Sequence, residues 1–196
     1  MDISILPFEN FPNPVTATVF SVLVIIVILV ELRIMTRMHT DLAKDKMSFF
    51  VVLAPGIILP LFITYILATL GIGRLPTWMS YIGIAVVVLG FILRQYAIHT
   101  LGKFFVPVVT VRKEQRIIQK GPYRYVRHPS YTGLLLELVG AGLAVSNWVA
   151  AVLSLVLATV ALSYRISVEE RALRQHFGKK YKEYQAKTKR LIPGFY

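Results

Sequence analysis

Residues Leu138–Tyr164 read LVGAGLAVSNWVAAVLSLVLATVALSY, a stretch with no Asp, Glu, Lys or Arg. It exceeds the roughly 20 apolar residues that cross a bilayer core, and whether it crosses once or turns back decides the fold. Three further uncharged runs precede it, Asn10–Val30, Met47–Gly73 and Leu75–Leu93. The basic residues between runs supply the test. None precedes the first run, four follow it, Arg74 alone joins the second to the third, eight lie from Arg94 to Arg127, and nine follow Tyr164. Cytoplasmic segments of membrane proteins are enriched in Lys and Arg. A single crossing would put the group of eight and the group of nine on opposite faces. A turn at Ser146-Asn147 puts both on one face, with helices from about Tyr131 to Val145 and from about Trp148 to Tyr164 as a tight hairpin.

The expected fold is therefore an all-α integral membrane protein of five transmembrane helices, N-terminus outside and C-terminus cytosolic. Residues 1–196 form one membrane domain, with three N-terminal spans in 1–93 and a core in 94–196 that ends in a C-terminal helix. Composition agrees: the 196 residues are 56% hydrophobic and 16% charged, against about 45–50% and 25% in soluble domains. The absence of cysteine excludes disulfides, thiolate metal sites and cysteine nucleophiles. Asp2 and Glu9 stand where a signal peptide would carry a basic region, so the first run reads as a retained span. The net charge of +12 follows from membrane topology and does not call for a nucleic-acid partner. Gly83 and Gly90 suit close helix packing, and Pro55 and Pro60 suit a kinked second helix.

The cytosolic segments carry the candidate chemistry. Val106–Val111 and Arg116-Ile117-Ile118 flank a polar stretch and suggest a short β-hairpin-like segment at the membrane surface. Gly121-Pro122 turns the chain into Tyr123-Arg124-Tyr125-Val126-Arg127-His128-Pro129-Ser130-Tyr131, with Pro129 suited to the first turn of a helix. Beyond the hairpin, Arg165 and Glu169 share a helix face at i, i+4 spacing, beside Glu170. Leu173, Phe177, Tyr181 and Tyr184 continue an aromatic stripe interrupted at Gly178. A tight hairpin brings its two cytosolic ends together, so His128 and Tyr131 should face Arg165, Glu169 and Glu170. Taken singly, Arg127-His128-Pro129 is equally an interfacial anchor, and Glu169-Glu170 equally a solvated acidic pair. Glu137, an ionisable residue inside an apolar helix, either faces the bundle interior as a functional group or snorkels to the near interface. The histidines and glutamates lack metal-ligand spacing, and no metal is expected.

Residues Gly121–Gly133 (GPYRYVRHPSYTG), with the block Glu169-Glu170-Arg171-Ala172-Leu173 through His176-Phe177-Gly178, Tyr181 and Tyr184, resemble the two motifs of the isoprenylcysteine carboxyl methyltransferase family. The resemblance runs from about Arg94 to Tyr196, and the chain looks like a short prokaryotic, archaeal-type relative without the extra N-terminal spans of eukaryotic members. It implies methyl transfer from S-adenosyl-L-methionine, leaving S-adenosyl-L-homocysteine, at the cytosolic membrane face. By position it implies cofactor contacts at Gln115, Arg116, Ile117, Ile118, Tyr123, His128, Pro129, Ser130, Tyr131, Glu169 and Glu170. Gln115 stands where many members have histidine. Arg165 falls where the family has a substrate-contacting arginine, so Arg165 and Glu169 are the catalytic candidates and Arg165 and Glu137 the substrate-binding ones.

The implied acceptor is the carboxylate of an isoprenylated cysteine or similar lipid acid arriving through the bilayer. The implied location is the cell membrane in a prokaryote or the endoplasmic reticulum in a eukaryote. Three other readings compete. A phospholipid headgroup N-methyltransferase would need a base, for which Glu137 or His128 are candidates. An NADPH-dependent membrane reductase of the sterol type shares a similar C-terminal architecture, and a non-catalytic scaffold needs no cofactor at all.

Overall fold

The computed structural model describes Phe11 and residues 13–37, 54–106 and 114–194. Six α-helices form there: α1 (Pro14–Arg37), α2 (Leu59–Leu70), α3 (Met79–Leu101), α4 (Pro129–Ala144), α5 (Trp148–Phe177) and α6 (Lys179–Lys187). Pro55 sits in a π-helical turn, Ala54–Ile58, that leads into α2, and Pro60 sits in the first turn of α2. Of the expected spans, α1, α3 and α5 are long and apolar enough to cross a membrane, whereas Pro55–Leu70 and the 16-residue α4 are shorter. Among the described residues no strand forms; there are two isolated bridges, Arg74 with Asn147 and Val126 with Lys189. Residues 107–113 of the expected β-hairpin lie outside the described residues, and Gln115–Gln119 run on without pairing.

The hairpin of α4 and α5 forms with its turn at Val145–Asn147. Ser146 takes a positive φ of 51° there. Asn147 caps α5: its Oδ1 accepts from Ala150 N at 2.9 Å, and its Nδ2 donates to Ile72 O at 2.7 Å. Leu75 N donates to Ser146 O and Trp148 N to Gly73 O, so the α2–α3 connection closes over the hairpin turn. These bonds satisfy backbone groups left free where α4 ends and α5 begins.

Small residues let α4 lie directly on α3. A Cβ on Gly83 would fall 2.0 Å from Ala144 N, and one on Gly90 2.7 Å from Gly133 O. Leu134, Leu138, Ala158 and Leu162 form the buried seam of the hairpin, with Ile57, Tyr131 and Leu135 packed against it. At about 1.5 Å per residue, the 30-residue α5 is about 45 Å long against a hydrocarbon core of about 30 Å. Its last turns, from about Arg165, therefore project beyond the apolar layer. Gly178, with φ 55°, ends α5 and starts α6.

Candidate functional site

The projecting end of α5 meets the start of α4, as the hairpin requires. Gly121, at φ 57°, opens a 3-10 turn through Arg124, and His128 precedes α4 in a non-helical conformation with Pro129 behind it. The chain is held there by its own C-terminal segment. Arg127 N donates to Lys189 O at 2.8 Å, His128 N to Arg190 O at 3.0 Å, and Thr132 Oγ1 to Leu191 O at 2.8 Å.

Tyr131, Glu169 and Arg165 form one hydrogen-bonded array. The Tyr131 hydroxyl donates to Glu169 Oε2 at 2.9 Å and accepts from Arg165 Nε at 3.2 Å. The His128 ring stacks on Tyr131 with centroids 5.6 Å apart, and its Nδ1 lies 3.9 Å from Glu169 Oε2. Arg165 and His128 are buried, while the Glu169 side chain is 32% exposed. This array borders a cleft of about 830 Å³, counting its part open to solvent, whose lining includes Gln115, Arg116, Ile117, Ile118, Tyr123, His128, Ser130, Tyr131, Arg165 and Glu169. Leu101, Phe104, Phe105, Val106, Leu173 and Phe177 add an apolar wall. Burial, then the Glu169 charge, pushes the Tyr123 phenol well above its ordinary range; burial also raises those of Tyr181 and Tyr184. These rings are neutral at physiological pH.

Three expected site residues are not brought to the cleft. Pro129 is buried at the start of α4. Glu137 is buried in the α3–α4 interface layer, with Oε1 lacking a hydrogen-bond partner among the described residues. It does not snorkel. Glu170 is wholly buried, and its oxygens are occupied by protein donors: Arg127 Nε at 2.7 Å, Gln185 Nε2 at 3.1 Å, Arg190 Nη2 at 3.3 Å and His128 Nε2 at 3.4 Å. The acidic pair thus divides, with Glu169 facing the cleft and Glu170 tying α5 to the loop and C-terminal segment.

Sequence reasoning missed Arg127, Gln185 and Arg190 as partners of Glu170, and the bond from Tyr184 Oη to Tyr123 O at 2.7 Å. It also missed a half-buried ion pair between Glu31 and Arg94. A signal for that pair was present: in the expected topology both residues fall at the cytosolic ends of their spans, with opposite charge.

Residues 82–175 match the model of the isoprenylcysteine carboxyl methyltransferase (ICMT) family. The chain is 35% identical over 118 residues to protein-S-isoprenylcysteine O-methyltransferase B of Arabidopsis thaliana, covering 59% of this chain and 60% of that protein. It is 34% identical over 116 residues to protein-S-isoprenylcysteine O-methyltransferase of Saccharomyces cerevisiae, covering 58% and 48%. The chain thus spans about half to three-fifths of the length of these relatives. A solved structure of the eukaryotic intramembrane Ras methyltransferase ICMT superposes with a TM-score of 0.57 at 25% identity, covering 77% of this chain and 53% of that one.

Proposed function

We propose, from the match of residues 82–175 to the model of the isoprenylcysteine carboxyl methyltransferase family, that the protein is an S-adenosyl-L-methionine-dependent methyltransferase. Its acceptor in this reading is the carboxylate of an isoprenylated cysteine or a similar lipid acid, met at the cytosolic face of the cell membrane or endoplasmic reticulum. The observation that carries the reading is the Tyr131–Glu169–Arg165 array beside a cleft with an apolar wall.

The residues present fit the donor's chemistry. S-adenosyl-L-methionine supplies an electrophilic methyl group on a sulfonium, flanked by an amino-acid tail and an adenine ring. Glu169 offers a carboxylate, oriented by the Tyr131 hydroxyl, for the donor's ammonium group. Ile117, Ile118 and Tyr123 offer flat and aliphatic surface for the adenine. Arg165, its Nε fixed on Tyr131, binds the acceptor carboxylate, a pairing that suits the guanidinium fork. The acceptor is already ionised at neutral pH, so no general base is required. The protein contributes positioning and exclusion of water. One carboxylate oxygen forms a bond to the methyl carbon as the sulfonium bond breaks, giving a methyl ester and neutral S-adenosyl-L-homocysteine. A phospholipid amine would instead have to lose a proton. Of the two bases considered for that task, Glu137 lies away from the cleft, whereas His128 lines it with its Nε2 3.4 Å from Glu170 Oε1.

The test is methyl transfer from labelled S-adenosyl-L-methionine with the purified protein in liposomes, offering N-acetyl-S-farnesyl-L-cysteine and phosphatidylethanolamine in parallel. Base-labile methyl ester on the farnesylcysteine is expected. Label confined to the headgroup amine would overturn the acceptor assignment, and binding of NADPH without binding of S-adenosyl-L-homocysteine would overturn the reaction class.

A further inference from the structure

The Glu31–Arg94 pair has its far end at the site. Arg94 is 9% exposed, deep between α3 and α4. Its guanidinium is held by both Glu31 oxygens, with Nη2 2.7 Å from Oε2, and its Nη1 donates to Ser130 O at 3.1 Å. Ser130 lies between His128 and Tyr131, the two residues that stack beside Glu169. The contact is built in by sequence: a Cβ on Gly133 would meet Arg94 Cβ at 2.7 Å and Arg94 N at 2.8 Å, so only glycine lets α4 sit this close to Arg94. Glu31, on α1, lies outside the segment that matches the family model.

We infer that Glu31 and Arg94 form a positioning strut: α1 fixes the Arg94 guanidinium, which in turn fixes the Ser130 carbonyl and hence the orientation of His128 and Tyr131. The N-terminal span is then part of the site's assembly and not only a membrane anchor. The chemistry favours this. A guanidinium in a fork between two carboxylate oxygens has its plane set, so its remaining donor arrives at the carbonyl from one direction. Lysine, a compact charge on a flexible stem, could keep the charge but not the direction. The inference rests on the methyltransferase reading only for its kinetic readout, since the position of the turn can be measured without catalysis.

Three variants separate positioning from stability. Arg94→Met removes both contacts, and Arg94→Lys keeps the charge. The exchange Glu31→Arg/Arg94→Glu rebuilds an ion pair but places a carboxylate, which cannot donate, against Ser130 O. Turnover of N-acetyl-S-farnesyl-L-cysteine, the thermal midpoint and hydrogen exchange of the amides of His128, Ser130, Tyr131 and Thr132 are read for each. A misplacement of about 1 Å costs on the order of 100-fold in rate. Arg94→Met should therefore lower kcat about 10- to 100-fold and speed exchange at Tyr131 and Thr132, whose amides bond to His128 O. Arg94→Lys should recover part of both, while the exchange, which turns a carboxylate toward Ser130 O and the buried Glu137, should recover part of the thermal midpoint but neither kcat nor amide protection. Recovery of all three by the exchange, or kcat and protection within twofold of the parent in Arg94→Met, would overturn the strut. If Arg94→Met does not fold, the lysine variant and the exchange decide on the same readouts. A parent protein that transfers no methyl group to any acceptor would sink the methyltransferase reading, while the amide exchange would still decide the strut.

Discussion

Helices α1 and α5 are both apolar enough to span a bilayer, yet 11% of α1's most apolar stretch is buried inside the protein against 44% of α5's. The two meet different solvents. On α5, Ala150, Ala151, Ser154, Ala158 and Ala161 form a small-residue face against the rest of the bundle. On α1, Val15, Val19, Val22, Ile25, Ile26, Ile28, Leu29 and Leu32 stand exposed, as suits lipid. Near its start α1 is tied by Phe11 and Ala17 packing with Ala68 and Val145, and by Asn13 bonding Tyr81; toward its other end it is tied by Glu31 on Arg94. Hydrophobicity alone thus says that a helix prefers the bilayer, while side-chain size says whether its neighbour is protein or lipid. The consequences of substitution should follow that division and fall steadily from the polar end of α5 to the middle of α1.

The largest effect is expected at the polar end of α5, on activity. Arg165→Ala and Glu169→Ala each remove one member of the Tyr131 array. Loss of a group that positions a reactant should lower kcat/KM on the order of 100-fold or more, with a thermal midpoint close to the parent's for the half-exposed Glu169. Unchanged turnover in Glu169→Ala would remove the site from this cleft. One residue further along α5, Glu170 should behave differently. Its substitution by Ala leaves Arg127 and Arg190 without their buried acceptor, and breaking a buried ion pair costs about 3–5 kcal/mol. The expected signature is a large fall in thermal midpoint and release of the segment 188–191 to proteolysis. A Glu170→Ala protein of parental stability but without donor binding would return Glu170 to the cofactor site.

That contrast shows what could be read from the chain before its structure. The hairpin was legible because opposite faces of a membrane tolerate different charge, and Ser146-Asn147 was available as its turn. The convergence of His128 and Tyr131 on Arg165 and Glu169 followed from the hairpin. The division of labour between Glu169 and Glu170 was not legible. Adjacent residues on a helix point about 100° apart, and which of the two meets the cleft depends on where Arg127, Gln185 and Arg190 arrive. Gln185 lies on α6, and Arg127 and Arg190 come from segments that pair through backbone bonds of no distinctive sequence, such as Arg127 N to Lys189 O. Glu137 was equally undetermined, because an acid about two turns into a helix can reach the interface or turn inward, and packing against α3 decides.

Between the polar cap and the lipid face lies the α3–α4 seam, where an intermediate effect is expected. A methyl group at Gly83 would overlap Ala144 N at 2.0 Å and Leu143 C at 2.4 Å, both backbone atoms that cannot rotate away. Gly83→Ala should therefore force the helices apart at about 1–3 kcal/mol, seen as a lower thermal midpoint in micelles. Because Gly83 lies near the Ser146-Asn147 turn, at the end of the hairpin opposite Arg165, kcat of the folded fraction should change less than stability does. Loss of activity with stability intact would mean that spacing at the far end of the seam is transmitted to the site.

The smallest effect is expected on the outer face of α1. Ile25 is 55% exposed and lies between the two ends at which α1 is tied. Ile25→Ala removes apolar surface that meets lipid in the folded protein and in the unfolded membrane-inserted chain alike, so the two states lose nearly the same contact. The change in folded stability should stay within about 0.5 kcal/mol, as for surface positions generally, and turnover should match the parent's. Measured beside Glu31→Gln on the same helix, this variant separates the two roles of α1. If Ile25→Ala lowers the thermal midpoint by several degrees, the exposed stripe packs against protein, as when a second copy of the chain covers it. Chemical crosslinking in liposomes would then detect the dimer that the lipid reading excludes.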